Sequence, residues 1–378
     1  MQLIEERSHR ALNPGARILT YLARLALAIL IPVVAFAVLY QGFLFLRAGN
    51  APKGVITLIA ILWGVGGVAV LYWIFNWLVE SLPLEWTGRL QPFVFVGPAM
   101  AILTWFLALP TLRTLYISLY DRLGPELGKF VGIQNYIDVF TNRLMLEAFR
   151  NNIFFWMLIA TPVTVAMGLL VAVLADRSKF ERLAKSLIFM PMAISFVGAG
   201  VIWNFIYEVK PPDVPQIGLL NAIITALGGT PHAWPAFTQI APLNNIFLVV
   251  IVVWLQAGYA MVLFSAALKG IPEEIIEAAR VDGATEIEIF FKIMIPYIQT
   301  TIITVSTTVI IFTLKIFDVV WVMTGGQFGT EVIATQFYRQ SFTANNKGFG
   351  AAIAIVLLVA VIPVMVYNLR RFGEQEAF

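Results

Sequence analysis

Eight long apolar runs constrain this chain more than any other feature of its sequence. Each is about 20 residues or longer, the length that an α-helix needs to cross a bilayer. The chain is 60% hydrophobic and 12% charged over 378 residues, about half the charge that soluble domains carry. The sequence therefore predicts an all-α, polytopic membrane protein with spans at residues 25–46, 55–79, 93–119, 153–175, 186–207, 245–268, 297–324 and 350–369.

Eight spans place both termini on the same side of the membrane, and the basic residues predict which side. Lys and Arg are enriched in cytoplasmic loops, and the ten-residue segment 176–185 carries four of them. This assignment predicts a multi-pass membrane protein with both termini in the cytoplasm. The net charge of +3 then reflects orientation rather than nucleic-acid binding. The basic residues placed inside include Arg7, Arg10, Arg17, Arg24, Arg370 and Arg371.

Several catalytic and metal-binding classes are excluded by composition. The chain has no cysteine, and its two histidines, His9 and His232, lie in a tail and a distant loop. We therefore predict no catalytic residue and no metal site. A phosphate-binding loop needs G-x-x-x-x-G-K followed by Ser or Thr. The nearest string, residues 124–130, has the wrong spacing and lacks the hydroxyl, so this chain is not expected to hydrolyse ATP.

The runs suggest a division of the chain. Residues 1–92 hold a cytoplasmic tail and two extra spans, residues 93–370 hold a six-span core, and residues 371–378 form a cytoplasmic tail. Outer loops are predicted at 121–150, 208–244 and 325–349. Within the second, residues 218–227 predict a short amphipathic helix on the membrane surface.

A polar stretch at residues 271–296, IPEEIIEAARVDGATEIEIFFKIMIP, interrupts two of the apolar runs. Pro272 suits the first position of a helix, and Gly283 suits a left-handed stop. Thr285 followed three residues later by Glu288 predicts a capping box and a second helix. The stretch therefore predicts a helical hairpin on the wet side of the membrane, with one apolar stripe formed by Ile287, Phe290, Phe291 and Met294.

The seventh run contains the charged residues Lys315 and Asp318, three residues apart. Ionisable residues within a span are costly and mark candidate functional sites. Thr301, Thr304 and Thr308 extend the same predicted face. Two interpretations stay open: a solute pathway lined by hydrogen-bonding groups, or a buried ion pair whose threonines bond back to their own helix.

The fifth and sixth runs contain further candidates. Trp254, Gln256 and Tyr259 combine aromatic faces with an amide and a hydroxyl, which is how proteins hold sugars. The same residues can instead serve helix packing, with Gln256 as a polar contact. Gly198 and Gly200 in the fifth run favour close packing of helices over a binding role.

The hairpin resembles the signature loop of binding-protein-dependent ABC importer permeases, with the pattern E-A-A, three residues, G, nine residues, I-x-L-P. Ile295 replaces the leucine of that pattern. The resemblance implies that the hairpin is a coupling helix seated in a groove of a cytoplasmic ATPase subunit. The residues it implicates are Glu277, Ala278, Ala279, Asp282, Gly283, Ile293 and Pro296.

Similarity extends over most of residues 93–378 and resembles the sugar-permease branch of these importers. Two extra N-terminal helices are similar to the larger maltose-type permease subunit. The chain departs from that subunit in the loop at 121–150, which is too short for its large periplasmic domain. The stretch KIFDVVWVMTGGQFGTEVIATQFYRQSF looks most like permeases of the α-glucoside or glucosylglycerol type.

The resemblance also implies a sugar pathway among the fifth, sixth and seventh spans. By position it would include Met192, Phe196, Trp254, Gln256, Tyr259, Lys315 and Asp318. The two charged residues depart from the uncharged amides of the family, which favours a different solute.

The resemblance also implies that the chain lies in the bacterial inner membrane. The implied partners are a second homologous permease subunit, two ATPase subunits, an extracytoplasmic solute-binding protein and the lipid bilayer. The ATPase subunits would bind ATP and Mg, and this chain would need no cofactor of its own. One alternative is a secondary transporter driven by an ion gradient, with Lys315 and Asp318 as the coupling pair. Another is a non-transporting membrane scaffold or channel, in which the polar face is a closed structural contact between helices.

Overall fold

A computed structural model describes residues 30, 33–80, 84–121, 128–211, 213–236 and 238–375. Most of these residues are helical, and the β-pairing they contain is a single antiparallel bridge between Tyr120 and Phe130. The predicted all-α class is confirmed. Residues such as Arg7, His9, Arg10, Arg17 and Arg24 lie outside the described residues.

The helices are numbered here in chain order, and the bounds of each follow. They are α1 (Val33–Ala48), α2 (Lys53–Glu80), α3 (Leu84–Leu103, continued through a π turn by Leu109–Ile117), α4 (Gln134–Thr141), α5 (Arg143–Asp176), α6 (Glu181–Ala193), α7 (Phe196–Ile206), α8 (Leu219–Ala226), α9 (Asn245–Lys269), α10 (Glu273–Val281), α11 (Glu286–Tyr297), α12 (Gln299–Leu314), α13 (Asp318–Thr324), α14 (Ile333–Tyr338) and α15 (Lys347–Gln375).

Five described helices are long and apolar enough to cross a membrane, and two bent pairs raise the number to seven. The five are α2, α3, α5, α9 and α15, and the bent pairs are α6 with α7 and α11 with α12. The remaining predicted span, at residues 25–46, begins outside the described residues. Its later part is helical in α1. The predicted helix at 218–227 is confirmed as α8.

The chain divides into two compact units, residues up to Pro110 and residues from Thr111 onward. In the first unit α1 and α2 are in close contact. A Cβ atom on Gly42 would lie 2.0 Å from the Trp63 ring, and the Trp63 indole N–H donates to the Leu39 carbonyl at 3.3 Å. A small residue at Gly42 is what lets the two helices approach. The predicted division at residue 92 stays a prediction.

The fourth predicted span begins earlier than its apolar run. The run starts at residue 153, whereas α5 starts at Arg143. Asn142 caps this helix, because its side-chain oxygen accepts hydrogen bonds from the Leu144 and Met145 amides. The first turns of α5 are amphipathic and bury Met145 and Ala148, so a hydropathy criterion does not detect them.

Two of the predicted spans are not continuous helices. The run at 186–207 bends by 104° between α6 and α7. There Ile194 is extended, and Ser195 starts a new helix by accepting from the Gly198 amide. The run at 297–324 ends its helix at Leu314, and a new helix starts only at Asp318.

Helix α9 is the centre of the second unit. Its 25 residues, about 37 Å long, include 14 buried ones. Backbones approach α9 closely at two glycines. A Cβ on Gly168 would lie 2.4 Å from the Ala260 Cβ, and one on Gly258 would lie 2.5 Å from the Ile188 carbonyl oxygen. Similarly, a Cβ on Gly200 would lie 2.9 Å from Val322, so the packing role predicted for that glycine is confirmed.

Four asparagine side chains hold the loop at residues 325–332, at the end of α9 opposite the hairpin. The Asn151 amide donates to the Gly329 and Glu331 carbonyls at 2.8 Å each. Asn244 and Asn245 donate to the carbonyls of Phe328 and Gly329. Asn152 accepts from the amide of Ile333 at 2.9 Å. These bonds fix a segment that has little regular structure of its own.

A buried carboxylate of the same loop forms an ion pair with an arginine that follows α14. The Glu331 side chain is 2% exposed and lies 3.1 Å from the Arg339 guanidinium, which also donates to the Gly325 carbonyl at 2.8 Å. Burial raises the pKa of the Glu331 carboxyl, although the Thr335 hydroxyl and Arg339 oppose the rise. The carboxylate therefore depends on Arg339 for its charge to be tolerated.

We expect the Arg339→Met variant to lose about 3 kcal/mol of unfolding free energy, because it leaves a buried carboxylate unpaired. Thermal unfolding in detergent should show a midpoint several degrees lower. The double variant Arg339→Met/Glu331→Gln should regain at least half of the loss, since it removes the orphaned charge. Equal midpoints for the single and double variants would show that the pair has no such role.

Candidate functional site

The hairpin formed by α10 and α11 has the local geometry that the sequence predicts. Pro272 precedes the first helix as its N-cap, one residue earlier than predicted. Gly283 has φ of +84°, a conformation that L side chains rarely adopt. Thr285 and Glu288 form the predicted capping box, with the Thr285 hydroxyl accepting from the Glu288 amide. The hairpin is therefore specified by its own residues.

The predicted hairpin residues mostly lie on its surface. Ile293 and Ala279 are half-buried, and the others are exposed, namely Glu277, Ala278, Asp282, Gly283 and Pro296. Beside Gly283 is an open cleft of about 270 Å³, bounded by Asp282, Ala284, Glu288, Lys292 and Ile293. Glu277 forms no salt bridge among the described residues, so its carboxylate is available to a partner.

The apolar residues of the hairpin face two ways, so the prediction of one stripe was wrong. Met294 and Ile276 pack against the core around α9 and α12. Ile287 and Phe291 point outward and are 71% and 64% exposed. Val281, which the sequence analysis missed, is 87% exposed. A π turn at Phe290–Met294 rotates the helix and divides the stripe. Exposed apolar residues clustered on a hairpin are typical of an interaction surface.

The two arms of the hairpin are tied together by charge. The Arg280 guanidinium in the last turn of α10 donates to the Glu286 carboxylate at the start of α11, at 2.8 Å. This bond raises the pKa of Arg280 above its ordinary value. Because both side chains are about half exposed, the pair contributes little stability, although it connects the two arms.

The break between α6 and α7 lies close to the interruption between α12 and α13. The Phe196 ring at the start of α7 stacks on the Phe312 ring near the end of α12, with centroids 4.8 Å apart. Lys315 caps the C-terminus of α12 and is exposed, and Met192 is exposed in the turn before the first break. Interrupted helices at mid-depth are typical of solute sites in transporters. Phe312 was missed by the sequence analysis, which treated it as part of a continuous apolar run.

An exposed or half-exposed polar face runs along α12 toward this region. It carries Thr300, Thr301, Thr304, Thr308 and Lys315. The Thr304 and Thr308 hydroxyls donate to the carbonyls four residues before them, at 2.9 Å each. Such bonds satisfy the hydroxyl protons, and the oxygens can still accept from a solute.

Lys315 and Asp318 do not share one helix, contrary to the sequence analysis. They form no salt bridge with each other among the described residues. Lys315 lies at the C-terminus of α12 and Asp318 begins α13. Each charge is therefore next to the helix end of opposite partial charge, so neither needs the other for stabilisation. The ion pair proposed as an alternative role is not formed.

The residues predicted on α9 do not lie together. Trp254 and Gln256 are two positions apart, which places them about 200° around the helix. The Trp254 ring meets the Trp203 ring of α7 at a centroid distance of 5.8 Å and packs on the core. Gln256 and Tyr259 share a face and are half-buried. The sugar-binding role of these three residues therefore stays a prediction, and Trp254 lies apart from the other two.

Comparisons with known proteins agree with this architecture. Residues 153–372 match the family described as "binding-protein-dependent transport system inner membrane component". The osmoprotective compounds uptake permease protein GgtC of Synechocystis sp. is 49% identical over 283 residues, covering 75% of this chain and 99% of that protein. The alpha-glucoside transport system permease protein AglF of Rhizobium meliloti is 44% identical over 329 residues, covering 85% and 95%.

A solved structure shares the fold. A chain of a bacterial alginate ABC transporter, in complex with an alginate pentasaccharide-bound periplasmic protein, superposes with a TM-score of 0.62 at 17% identity. The match covers 73% of this chain and 92% of that one. The extent of the family match and the identity to the two permeases lead to one conclusion: this chain belongs to the family of binding-protein-dependent transport system inner membrane components.

Proposed function

We propose that this chain forms half of the translocation pathway of an ATP-driven ABC importer for a glucoside or a related polyhydroxylated solute. The observation that carries the proposal is the hairpin, with its family spacing, its exposed Glu277 and its outward apolar residues. The chain would work with a second homologous permease, two ATPase subunits and an extracytoplasmic solute-binding protein. ATP and Mg would be bound by the ATPase subunits.

The hairpin supports the coupling part of the proposal. Val281, Ile287 and Phe291 are exposed on the hairpin, and the exposed Glu277 lies one helical turn before Val281. An apolar patch with one carboxylate suits a groove that has a hydrophobic floor and a cationic rim, where a charge-assisted hydrogen bond is strong. The hairpin would lie in the cytoplasm, together with both termini. Closure of the ATPase dimer would then move the hairpin and switch the spans between inward and outward access.

The polar face of α12 and the two helix breaks support the proposal that the chain lines a solute pathway. A lipid-facing helix would not expose four threonines and a lysine along one side. The pathway residues are proposed to be Met192, Phe196, Gln256, Tyr259, Lys315 and Asp318, with Phe312 added by its contact with Phe196 and Trp254 placed behind them. The solute class rests on the similarity to GgtC and AglF.

Affinity purification of the chain from mild detergent tests the proposal. We expect an ATPase subunit and a second permease to copurify, and ATP hydrolysis by the assembly to rise with solute-loaded binding protein across a panel of glucosides. Uptake by this chain alone, abolished by uncouplers, would instead support the secondary transporter. Purification of the chain without any ATPase or transport activity would support a scaffold.

A further inference from the structure

Five polar side chains, here named the ionic cluster, lie at the hairpin end of the helices and have no role in the function proposed so far. Asp176 ends α5, Glu181 and Lys185 belong to the first turns of α6, and Ser265 and Lys269 belong to the last turns of α9. The helices α5 and α6 follow each other in the chain, whereas the end of α9 lies about 80 residues later. The contacts of the cluster therefore join the connection between α5 and α6 to the end of α9.

Lys185 is the centre of the ionic cluster. Its ammonium lies 2.5 Å from Asp176 Oδ1, 2.6 Å from Glu181 Oε1 and 2.5 Å from the Ser265 hydroxyl. The Ser265 hydroxyl donates to Asp176 at 2.8 Å, and Lys269 pairs with Glu181. One cation thus connects α5, α6 and α9.

Partial burial makes these contacts stronger than surface ion pairs. The side chains of Lys185 and Asp176 are 20% and 16% exposed. Asp176 Oδ2 is buried and has no hydrogen-bond partner among the described residues. The carboxylate therefore depends on Lys185 and Ser265 for compensation, and removal of Lys185 would free the ends of the three helices.

The hairpin touches this cluster through the residue next to it. The Arg177 guanidinium lies 3.5 Å from Glu286, the first residue of α11. Because Glu286 also binds Arg280 of α10, the contact reaches both arms of the hairpin. Farther from the hairpin, α6 and α9 are in close backbone contact at Gly258. This contact prevents α6 from sliding freely along α9.

These contacts connect the hairpin to α6, a helix to which the hairpin is not joined directly along the chain. The hairpin is covalently continuous with α9 and α12, and it has no such link to α6. Yet α6 is the first half of a broken span whose break adjoins Phe196 and the pathway proposed above. A second route from the hairpin to that break therefore runs through side chains.

We propose that Asp176 and Lys185 are positioning residues that transmit hairpin movement to α6, and so to the broken span beside the pathway. The inference rests on the proposed coupling role of the hairpin. Helix ends held by a partly buried ion pair move as one body, whereas separated ends let the hairpin move without α6.

Three variants of the complete assembly in proteoliposomes test this inference. Lys185→Met should leave copurification of the ATPase intact and lower the solute transported per ATP by about fivefold or more. Lys185→Arg should restore at least half of that ratio, because it keeps the cation. Lys179→Met is the matched control, since Lys179 is an exposed lysine in the turn just before α6 with no salt bridge among the described residues. Its ratio should equal that of the unmodified chain.

A distance measurement separates transmission from a merely structural role. The chain contains no cysteine, so spin labels can be placed on α6 and α10 through Leu183→Cys and Glu273→Cys, both at exposed positions. ATP binding should change the distance between them by less than about 2 Å in the parent chain and by more in Lys185→Met. If Lys185→Met accumulates poorly, Arg177→Ala, which breaks only the exposed link to the hairpin, should give the same change in distance.

These experiments distinguish a failure of the proposed coupling role of the hairpin from a failure of the proposed transmission role of the ionic cluster. If the unmodified chain binds no ATPase, the coupling role itself is lost. If it binds the ATPase, and Lys185→Met and Arg177→Ala keep both the transport ratio and the parental distances, the transmission role of the ionic cluster is overturned.

Discussion

Replacing Gly283 by proline is expected to abolish solute uptake and ATPase copurification while leaving the chain in the membrane. The reason is conformational, because Gly283 has φ of +84°, whereas proline fixes φ near −65°. Proline also removes the amide that donates to the Arg280 carbonyl at 3.1 Å. The turn would have to re-form, and the two arms of the hairpin would separate from each other.

The matched control at the same position is Gly283→Asn. Nothing lies within 4 Å of a Cβ built on Gly283, so a larger side chain meets no steric obstacle. Asparagine tolerates the left-handed region better than other residues, and we expect it to keep at least half of the uptake. Radiolabelled solute uptake by vesicles and the ATPase content of purified samples provide the measurement. Normal uptake by Gly283→Pro would show that coupling does not pass through this turn.

Replacing Lys315 by methionine is expected to lower solute affinity about tenfold or more, because a hydrogen bond from a charged group contributes about 1.5–3 kcal/mol. Lys315 is exposed at the end of α12, beyond the stacked rings of Phe196 and Phe312. The helix C-terminus favours its charge without an acidic partner, so the ammonium can donate to solute hydroxyls. The KM for solute-stimulated ATP hydrolysis is the quantity to measure.

Two comparisons make the Lys315 result interpretable. Lys315→Arg should recover part of the affinity, because it keeps a cationic donor at the same place. Lys347→Met removes a lysine at the start of α15, a helix that flanks neither break, and should leave KM unchanged. An unaltered KM in Lys315→Met would remove this residue from the pathway, and equal losses in both methionine variants would point to a general effect of charge.

The hairpin was predictable from sequence because short-range interactions specify it. Thr285 and Glu288 cap α11 three residues apart, and Gly283 provides the left-handed turn at no steric cost. The all-α class was equally predictable, since apolar runs of this length have few alternatives to spanning helices. Hydropathy, however, reports only that a run is apolar and does not report the direction of its backbone. For that reason residues 186–207 and 297–324 were each predicted as one span, and their interruptions were not predicted.

What the sequence determined alone is the list of apolar segments and the local shape of the hairpin, since each depends on neighbours within a few residues. Only the tertiary structure decided where the spans break and which side chains meet there. The break after Leu314 exposes carbonyls at the end of α12, and the side-chain amide of Asn152 donates to the Thr313 and Leu314 oxygens at 3.3 Å each. A helix end inside a membrane needs such a donor, and this one comes from a residue about 160 positions away.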